Sequence, residues 1–558
     1  MADHMARAAA GGGPEEGRRR AAGERPEEGV RRAAGERPGE TARHPAWTLI
    51  PVCLAVAMVG LDATLVAIAN PYIGRDLHCS LSDLQWIVNA YLLVLAVLLI
   101  PMGKVGDRLG RRLMFVVGAG GFGLTSLGVG VAGSIGGVIA FRAGQGVFGA
   151  MLMPNTLAIL RSAFPPERLN RAIAIWGGAA AVSVATGPVV GGLLVQHASW
   201  EWCFFINVPG GALTIALGLL MLVESRDWDH AVTFDFRGLA FLATGLFCVV
   251  FGLVKADTWG WFTTKTISFL VVGLALLVAF VLSEQRSSAP LVPMRLFRSL
   301  RMTFGSLTVV FIFFGLFGVL FFVSLYLQNV HGYDPVAAGI RLLPLSGTFM
   351  VACPLGGLLN DRFGPRVAIP TGMFLVSVAL AALWWLEPGS SYAHLWVPFV
   401  VLGLGIGPVV VASSDAIVTS APVADAGIAG GIQSTALQIG GVLGTSVLGS
   451  VLTTRVGRTL FAKLTASGVP PAVAQKLDAA RQLVGQGLAP QVAGAPAALQ
   501  HAVIAGSQAS FMAGLHAATI VAAALCFVAV FVGLFVHDHE IPDVPAQDLA
   551  GPVVAAVR

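Results

Sequence analysis

Stretches of about 20 mainly apolar residues, the length that crosses a bilayer as a helix, recur from Trp47 to Val536 with short polar loops between them. A chain patterned in this way cannot cover itself with polar surface in water, so lipid must be the solvent for most of it. Composition agrees, since 56% of the 558 residues are hydrophobic and 12% are charged, against roughly a quarter charged in soluble domains. The 68 glycines fit the same reading, because small residues let membrane helices approach closely. The sequence predicts an all-α integral membrane protein with about fourteen spans. Six run up to Val223, two are centred near Phe247 and Leu274, and six lie between Thr303 and Val536.

Charge sets the expected orientation. Loops after spans two, four, eight and ten carry Lys104, Arg108, Arg111 and Arg112, then Arg161, Arg168 and Arg171, then Arg286, Arg295, Arg298 and Arg301, then Arg362 and Arg366. The loops after spans three and eleven carry no Lys or Arg, which makes the basic set cytoplasmic and, with an even number of spans, both termini with it. The same asymmetry accounts for the net charge of +5 without invoking nucleic acid. Six scattered cysteines lack a CxxC pair, so neither a disulfide framework nor a metal site is expected.

The segment before Trp47 holds two copies of a twelve-residue unit, residues 14–25 (PEEGRRRAAGER) and 26–37 (PEEGVRRAAGER). It is too charged to build a core and is expected to be a disordered cytoplasmic arm. About 45 polar residues before the first apolar run do not make a cleavable signal, so the first span should stay in the mature protein. A second repeat is structural. Gly103-x-x-x-Asp107-Arg108-x-Gly110-Arg111-Arg112 after span two matches Gly357-x-x-x-Asp361-Arg362-x-Gly364-x-Arg366 after span ten. Spans one to six and nine to fourteen thus read as duplicated halves, with spans seven and eight inserted between them. The expected divisions are an arm at 1–45, a bundle at 46–224, two additional helices with linkers at 225–300, a second bundle at 301–540 and a cytoplasmic tail at 541–558. Within the second bundle, a long extracytoplasmic loop at about 455–508 is expected to hold a surface helix.

Several polar residues stand out because burying them is costly. Asp62 lies in the middle of span one and Arg142 in span four, with Gln145 and Gly149 on the same helical face as Arg142. A charged side chain at mid-membrane costs about 2.5–3.5 kcal/mol on insertion scales. Asp62 is therefore either a proton or cation site, or a structural carboxylate satisfied by Thr64 or a backbone group. Arg142 faces a partner or trapped water, or ties span four to span one. Asp415 in span twelve is a second candidate acid, a cation or proton site if buried and merely solvated if it lies at a helix end. His331 and His516 are single histidines, for which an ordinary structural role is the simpler reading. The phenylalanines from Phe311 to Phe322 in span nine either line an apolar cavity or face lipid and core.

These motifs carry a family resemblance. The loop at Gly103, Asp107, Arg108, Gly110, Arg111 and Arg112 resembles the GxxxDRxGRR signature of the major facilitator superfamily, with Asp361 and Arg362 in its second copy. Physically it is a charge-paired hinge: Asp107 can face a helix N-terminus or a cytoplasmic arginine, and Gly110 permits the tight turn. A purely topological basic loop is the alternative. Arg142 to Ala150 is similar to the RxxQGxGxA motif, whose arginine the family implicates in proton transfer. Gly187, Pro188, Gly191 and Gly192 resemble the GPxxGG motif of its antiporters, which doubles as a helix-packing groove. Gly60 to Pro71 resembles the LDxTxVNxAxP element of the fourteen-helix drug:proton antiporters, with Ala67 where Asn is usual and an added Asn70. Trp200 to Pro209, Asp235 to Gly238, Pro290 to Phe297, Gln328 to Pro344 and Gln438 to Gly441 add further hallmarks, with Glu201 where arginine is usual.

The resemblance implies a major facilitator fold of two pseudo-symmetric six-helix bundles plus two central helices, in a bacterial inner membrane. It implies export of small hydrophobic or cationic drugs in exchange for protons, with Asp62 and Arg142 coupling the proton and with Thr64, Gln145 and Asp415 as further candidate sites. The proton gradient would supply the energy and no cofactor is expected. A dedicated exporter of one natural product and a non-transporting membrane scaffold are the alternatives. No nucleophile with a base and no GxxxxGK[ST] loop appears, so neither enzyme chemistry nor a single-chain ATP-driven pump is expected. The oligomeric state cannot be read from the sequence.

Overall fold

In a computed structural model, residues 45–225, 235–287, 290–422 and 425–536 are described. The N-terminal repeat and the tail at 541–558 lie outside the described residues. Among those described, fourteen helices are long and apolar enough to cross a membrane. The first half comprises α1 (Ala46–Asp76), α2 (Leu81–Leu109), α3 (Arg111–Val131), α4 (Ile135–Ala163), α5 (Pro166–His197) and α6 (Trp202–Met221). Between the halves lie α7 (Phe236–Trp259) and α8 (Thr264–Arg286). The second half comprises α9 (Leu300–Val330), α10 (Pro335–Phe363), α11 (Pro365–Ala382), α12 (Ala393–Thr419), α13 (Ala426–Ala466) and α14 (Ala497–Leu534).

The sequence starts and stops these helices by ordinary means. Ser80 and Asp83 form a reciprocal capping box on α2, and Ser134, Asp235, Thr263, Ser299 and Asp334 cap α4, α7, α8, α9 and α10. The turns after α2 and α10 pass through Gly110 at φ 118° and Gly364 at φ 75°, a region that glycine enters without the Cβ penalty.

The halves repeat one packing scheme. In the first, α1 packs on α5, α2 on α4, α3 on α4 and α6, and α1 also on α6; in the second, α9 packs on α13, α10 on α12, α11 on α12 and α14, and α9 also on α14. Both seat the fifth helix on the first through glycines four apart. Gly187 and Gly191 lie against Thr64 and Leu65, and Gly440 and Gly444 lie against Val310 and Phe314. The inserted pair docks on one side, with α7 against α2 and α13. Much of α8 is exposed, including Ile267, Val271, Leu274 and Val278, as suits a lipid-facing helix. Lys104 donates to the Pro290 carbonyl, the buried Glu284 accepts from Val292 N–H at 2.9 Å, and Arg295 pairs with Asp425 at 2.7 Å. These bonds fasten the linker after α8 to both halves.

The halves meet mainly at the end away from the two repeated motifs. There Gln85 donates to Thr445 O at 2.6 Å, Asn89 bonds Ser446 and Thr445, Arg75 bonds Asn329 at 2.6 Å, and Ser324 donates to Ala67 O at 2.5 Å. A Cβ at Gly192 would strike Pro335, and one at Gly339 would strike Pro188. At the motif end of the same two helices, Gly177, Gly178 and Gly347 have open space beside them. Residues 455–508 are mostly helical: α13 and α14 run on past the membrane, with Pro471–Leu477, Asp478–Ala480 and Arg481–Val484 as short helices between them. Gln486 in this segment donates to Cys79 O at 2.8 Å, and its own carbonyl accepts from Asn329.

Candidate functional site

Asp62 and Arg142 form an ion pair at 2.6 Å with side chains 0% and 1% exposed. Both stand inside their helices, and five helices, α1, α2, α3, α4 and α6, build the site. Asp62 Oδ2 accepts from Arg142 Nη1, while Oδ1 accepts from Gln145 Nε2 at 3.1 Å and from Asn207 Nδ2 at 2.9 Å. Gln145 also donates to Ser126 Oγ at 2.6 Å, and Asn207 approaches the same oxygen at 3.3 Å. Every one of these partners offers Asp62 an N–H, which is the set a carboxylate needs.

Arg142 is held whether or not Asp62 is charged. Its Nε donates to Ile87 O at 3.1 Å and its Nη1 to Gln145 Oε1 at 2.9 Å. The guanidinium lies 4.3 Å from the Tyr91 ring centroid and 5.8 Å from that of Phe204, a cation–π arrangement that strengthens away from water. The Tyr91 hydroxyl is buried and has no partner among the described protein atoms. Arg142 thus keeps partners of its own besides Asp62. Both side chains of the pair are sealed from solvent.

The other sequence candidates lie elsewhere. Thr64 bonds the carbonyls of Gly60 and Leu61 in its own helix and packs on Gly187; it does not touch the Asp62 carboxylate. Gly192 and Pro188 lie at the joint between α5 and α10. Asp415 is exposed at the motif end of α12 and accepts from Asn360 Nδ2 at 3.0 Å. In the first motif copy Asp107 pairs with Arg111 at 2.8 Å, whereas Arg108 is exposed. Arg112 Nη2 reaches Leu219 O at 2.6 Å. Gly103 abuts Pro154, and Gly110 abuts Glu224. That glutamate accepts from the N–H groups of Arg112 and Leu113, so a carboxylate caps the start of α3. In the second copy Asp361 and Arg362 are exposed.

Sequence reasoning missed Asn207, Ser126, Tyr91 and Glu224. Asn207 sits inside the Trp200–Pro209 hallmark, directly after the short helical turn Trp202–Phe205; that amide beside a membrane helix start was the available signal. Ser126 in a glycine-rich helix gave none.

Two halves of matching packing, with an ion pair buried in one of them, are the architecture of a membrane transporter. The chain belongs to the Major Facilitator Superfamily, whose family model matches residues 52–445. It is similar to the tetracenomycin C resistance and export protein of Streptomyces glaucescens, at 42% identity over 92% of this chain and 95% of that protein. It is 34% identical to a multidrug efflux pump of Mycolicibacterium smegmatis over 87% of this chain and 95% of the relative. The puromycin resistance protein of Streptomyces alboniger is 35% identical over 73% of this chain and 82% of its own length. Among solved structures, a bacterial homologue of the human lysosomal transporter Spinster superposes with a TM-score of 0.60 at 18% identity, covering 90% of this chain and all of that one, a likeness of fold. The protein is a multi-pass membrane transporter and not an enzyme.

Proposed function

We propose that the chain exports small hydrophobic or cationic molecules across a bacterial inner membrane in exchange for protons, with both termini and both repeated motif loops in the cytoplasm. The observation that carries this reading is the buried Asp62–Arg142 pair. An acid that can be neutralised by a proton, beside an arginine that stays charged, gives two states of different net charge inside the membrane. Protonation from outside releases the Asp62 carboxylate from Arg142 Nη1 while Arg142 keeps Ile87 O and the Tyr91 ring. Deprotonation toward the cytoplasm restores the pair. One proton crossing 100 mV supplies about 2.3 kcal/mol, and no cofactor enters the cycle.

With the motif loops cytoplasmic, the inter-half bonds from Asn329 to Gln85 close the outer end, and the separated glycines of α5 and α10 mark the side open to the cell. The names of the relatives, drawn from antibiotic resistance and multidrug efflux, support the substrate class and the outward direction. A narrower reading, a dedicated exporter of one natural product, is favoured by the 42% match over nearly the full length of the tetracenomycin C resistance and export protein.

The test is proton flux in reconstituted vesicles. Several unrelated cations should each stimulate inward proton movement if the pump is broad, and one compound if it is dedicated. Asp62→Asn is expected to abolish the coupling; retained proton-coupled efflux in that variant would refute the assignment. A scaffold would show no flux with any compound.

A further inference from the structure

Three buried amide atoms on α1 and α9, the first helices of the two halves, have no hydrogen-bond partner among the described residues. Asn70 of α1 is 1% exposed, and neither its Nδ2 nor its Oδ1 is bonded. Gln328 of α9 is 5% exposed; its Nε2 donates to Ser324 Oγ at 3.0 Å, while its Oε1 is unpaired. Buried polar groups are nearly always satisfied, so such groups ask for a function.

Helical spacing brings them to one place. Asn70 shares a face of α1 with Ala67, three residues before it, and Gly74, four after it. Both touch the second half: Ala67 O accepts from Ser324 Oγ, and a Cβ on Gly74 would lie 3.2 Å from Gln486 Oε1. Gln328 stands one turn beyond Ser324 on a π-helical turn, Tyr326–Val330, a distortion that is frequent at functional sites. α1 and α9 cross the membrane in the same direction, so one turn beyond the Ala67–Ser324 bond puts Asn70 and Gln328 at the same level. The Arg75–Asn329 bond closes over them.

The chemistry of the cluster is neutral. Asn70 offers two N–H donors and an acceptor, and Gln328 a second acceptor. A hydroxyl can accept from Asn70 Nδ2 and donate to Gln328 Oε1; a carbonyl can take the first bond alone. Asp62 holds the charge chemistry on another part of α1, where its partners are Arg142, Gln145 and Asn207.

We propose that Asn70 and Gln328 form a polar subsite that hydrogen-bonds a neutral hydroxyl or carbonyl of the exported molecule as the halves part at the outer end. The inference rests on the export reading above and adds a rule of selectivity. Molecules bearing such groups use the subsite, and cations without them pass it by.

Proteoliposome efflux of two probes tests it: doxorubicin, a cation through its amino sugar whose ring system carries hydroxyls and quinone carbonyls, and tetraphenylphosphonium, a cation that carries neither. Asn70→Leu and Gln328→Leu are each expected to raise the doxorubicin KM about ten-fold, the worth of one hydrogen bond, with tetraphenylphosphonium unchanged. Asn70→Ser, which restores a donor and an acceptor, should recover part of the loss. Equal losses on both probes, no loss on either, or a wild type that moves tetraphenylphosphonium alone overturns the subsite. A wild type that moves doxorubicin alone is judged on its KM and the serine recovery. One that moves neither overturns the export reading, and the subsite with it.

Discussion

The first half carries the charge and the second half the oil. Displaced by the 254 residues that separate Gly103 from Gly357, the positions of Asp62, Arg142 and Gln145 become Leu316, Trp396 and Phe399. The same displacement relates Pro154 to Pro408 on the helices that carry Arg142 and Trp396, and the first residues of α1 and α9, Ala46 and Leu300. Two bundles with the same helix pairings thus differ where the first holds its buried network. The first half holds a buried ion pair, and its twin is apolar at the displaced positions. Duplication supplied the hinge, and divergence at a few positions supplied the chemistry.

The sharpest way to break this comparison is to remove the fixed charge. Arg142→Met leaves the Asp62 carboxylate buried with only amide donors, and breaking a buried pair in this way costs about 3–5 kcal/mol. Leu316→Met, which conserves volume, is expected to cost under about 1.5 kcal/mol. Melting temperatures of the purified variants read the difference, and near-equal losses would show that the halves are not divided as described.

A smaller effect is expected at the two glycine pairs. A Cβ at Gly187 meets the Thr64 side chain, whereas one at Gly444 meets the Phe314 backbone. Each substitution to alanine should cost about 1–3 kcal/mol by overpacking. Thr64→Ala should repair much of the loss at Gly187, and no side-chain change should repair Gly444→Ala. If Thr64→Ala fails to help, the α1–α5 wall is not the one described.

The smallest effect concerns the second half at the end away from its motif loop, where His331 stacks on Tyr333 with ring centroids 5.0 Å apart and its Nε2 lies 2.9 Å from Tyr326 Oη. Burial and the Arg341 guanidinium lower its pKa, against a smaller opposing effect of a hydrogen bond with the Ser390 backbone. The unfolded chain then binds the proton more readily, so this contribution to stability is present above the ordinary histidine pKa of about 6.5 and fades as pH falls through it. The melting temperature should therefore fall slightly more in wild type than in His331→Gln between about pH 7.5 and about pH 5.5, either side of that pKa. Equal falls would remove His331 from the account.

The membrane helices were legible in the sequence because a bilayer leaves little freedom: an apolar run of sufficient length must become a helix. Asp62, Arg142 and Gln145 were legible for the complementary reason, since burying such groups is costly enough to be conspicuous. Asn207 and Ser126 violate no rule of membrane insertion and became visible only when the fold brought Asn207 to the Asp62 carboxylate and Ser126 to the Gln145 and Asn207 amides. Thr64 shows the opposite error. Two residues along a helix turn the side chain through about 200°, so nearness to Asp62 in sequence put it on the far side, against α5. Asp107 and Glu224 show how partner choice escapes a motif, because the loop's Arg111 and a glutamate beyond α6 were equally consistent with the spacing.

The unusual length of α13 and α14 has a mechanical consequence. At 41 and 38 residues and 1.5 Å per residue, they are roughly 62 and 57 Å long, about twice the hydrocarbon thickness of a bilayer. Their outer thirds are laced together by Thr459, Ser510 and the close approach of Gly506 to Leu464, so they move as one stiff rod. Any rocking of the second half is magnified at the tip of that rod, as a pointer magnifies the turn of a dial. A pair of spectroscopic labels, one near Lys463 and one on the short loop at His78, would read the angle between the halves from outside the membrane without touching the transport path.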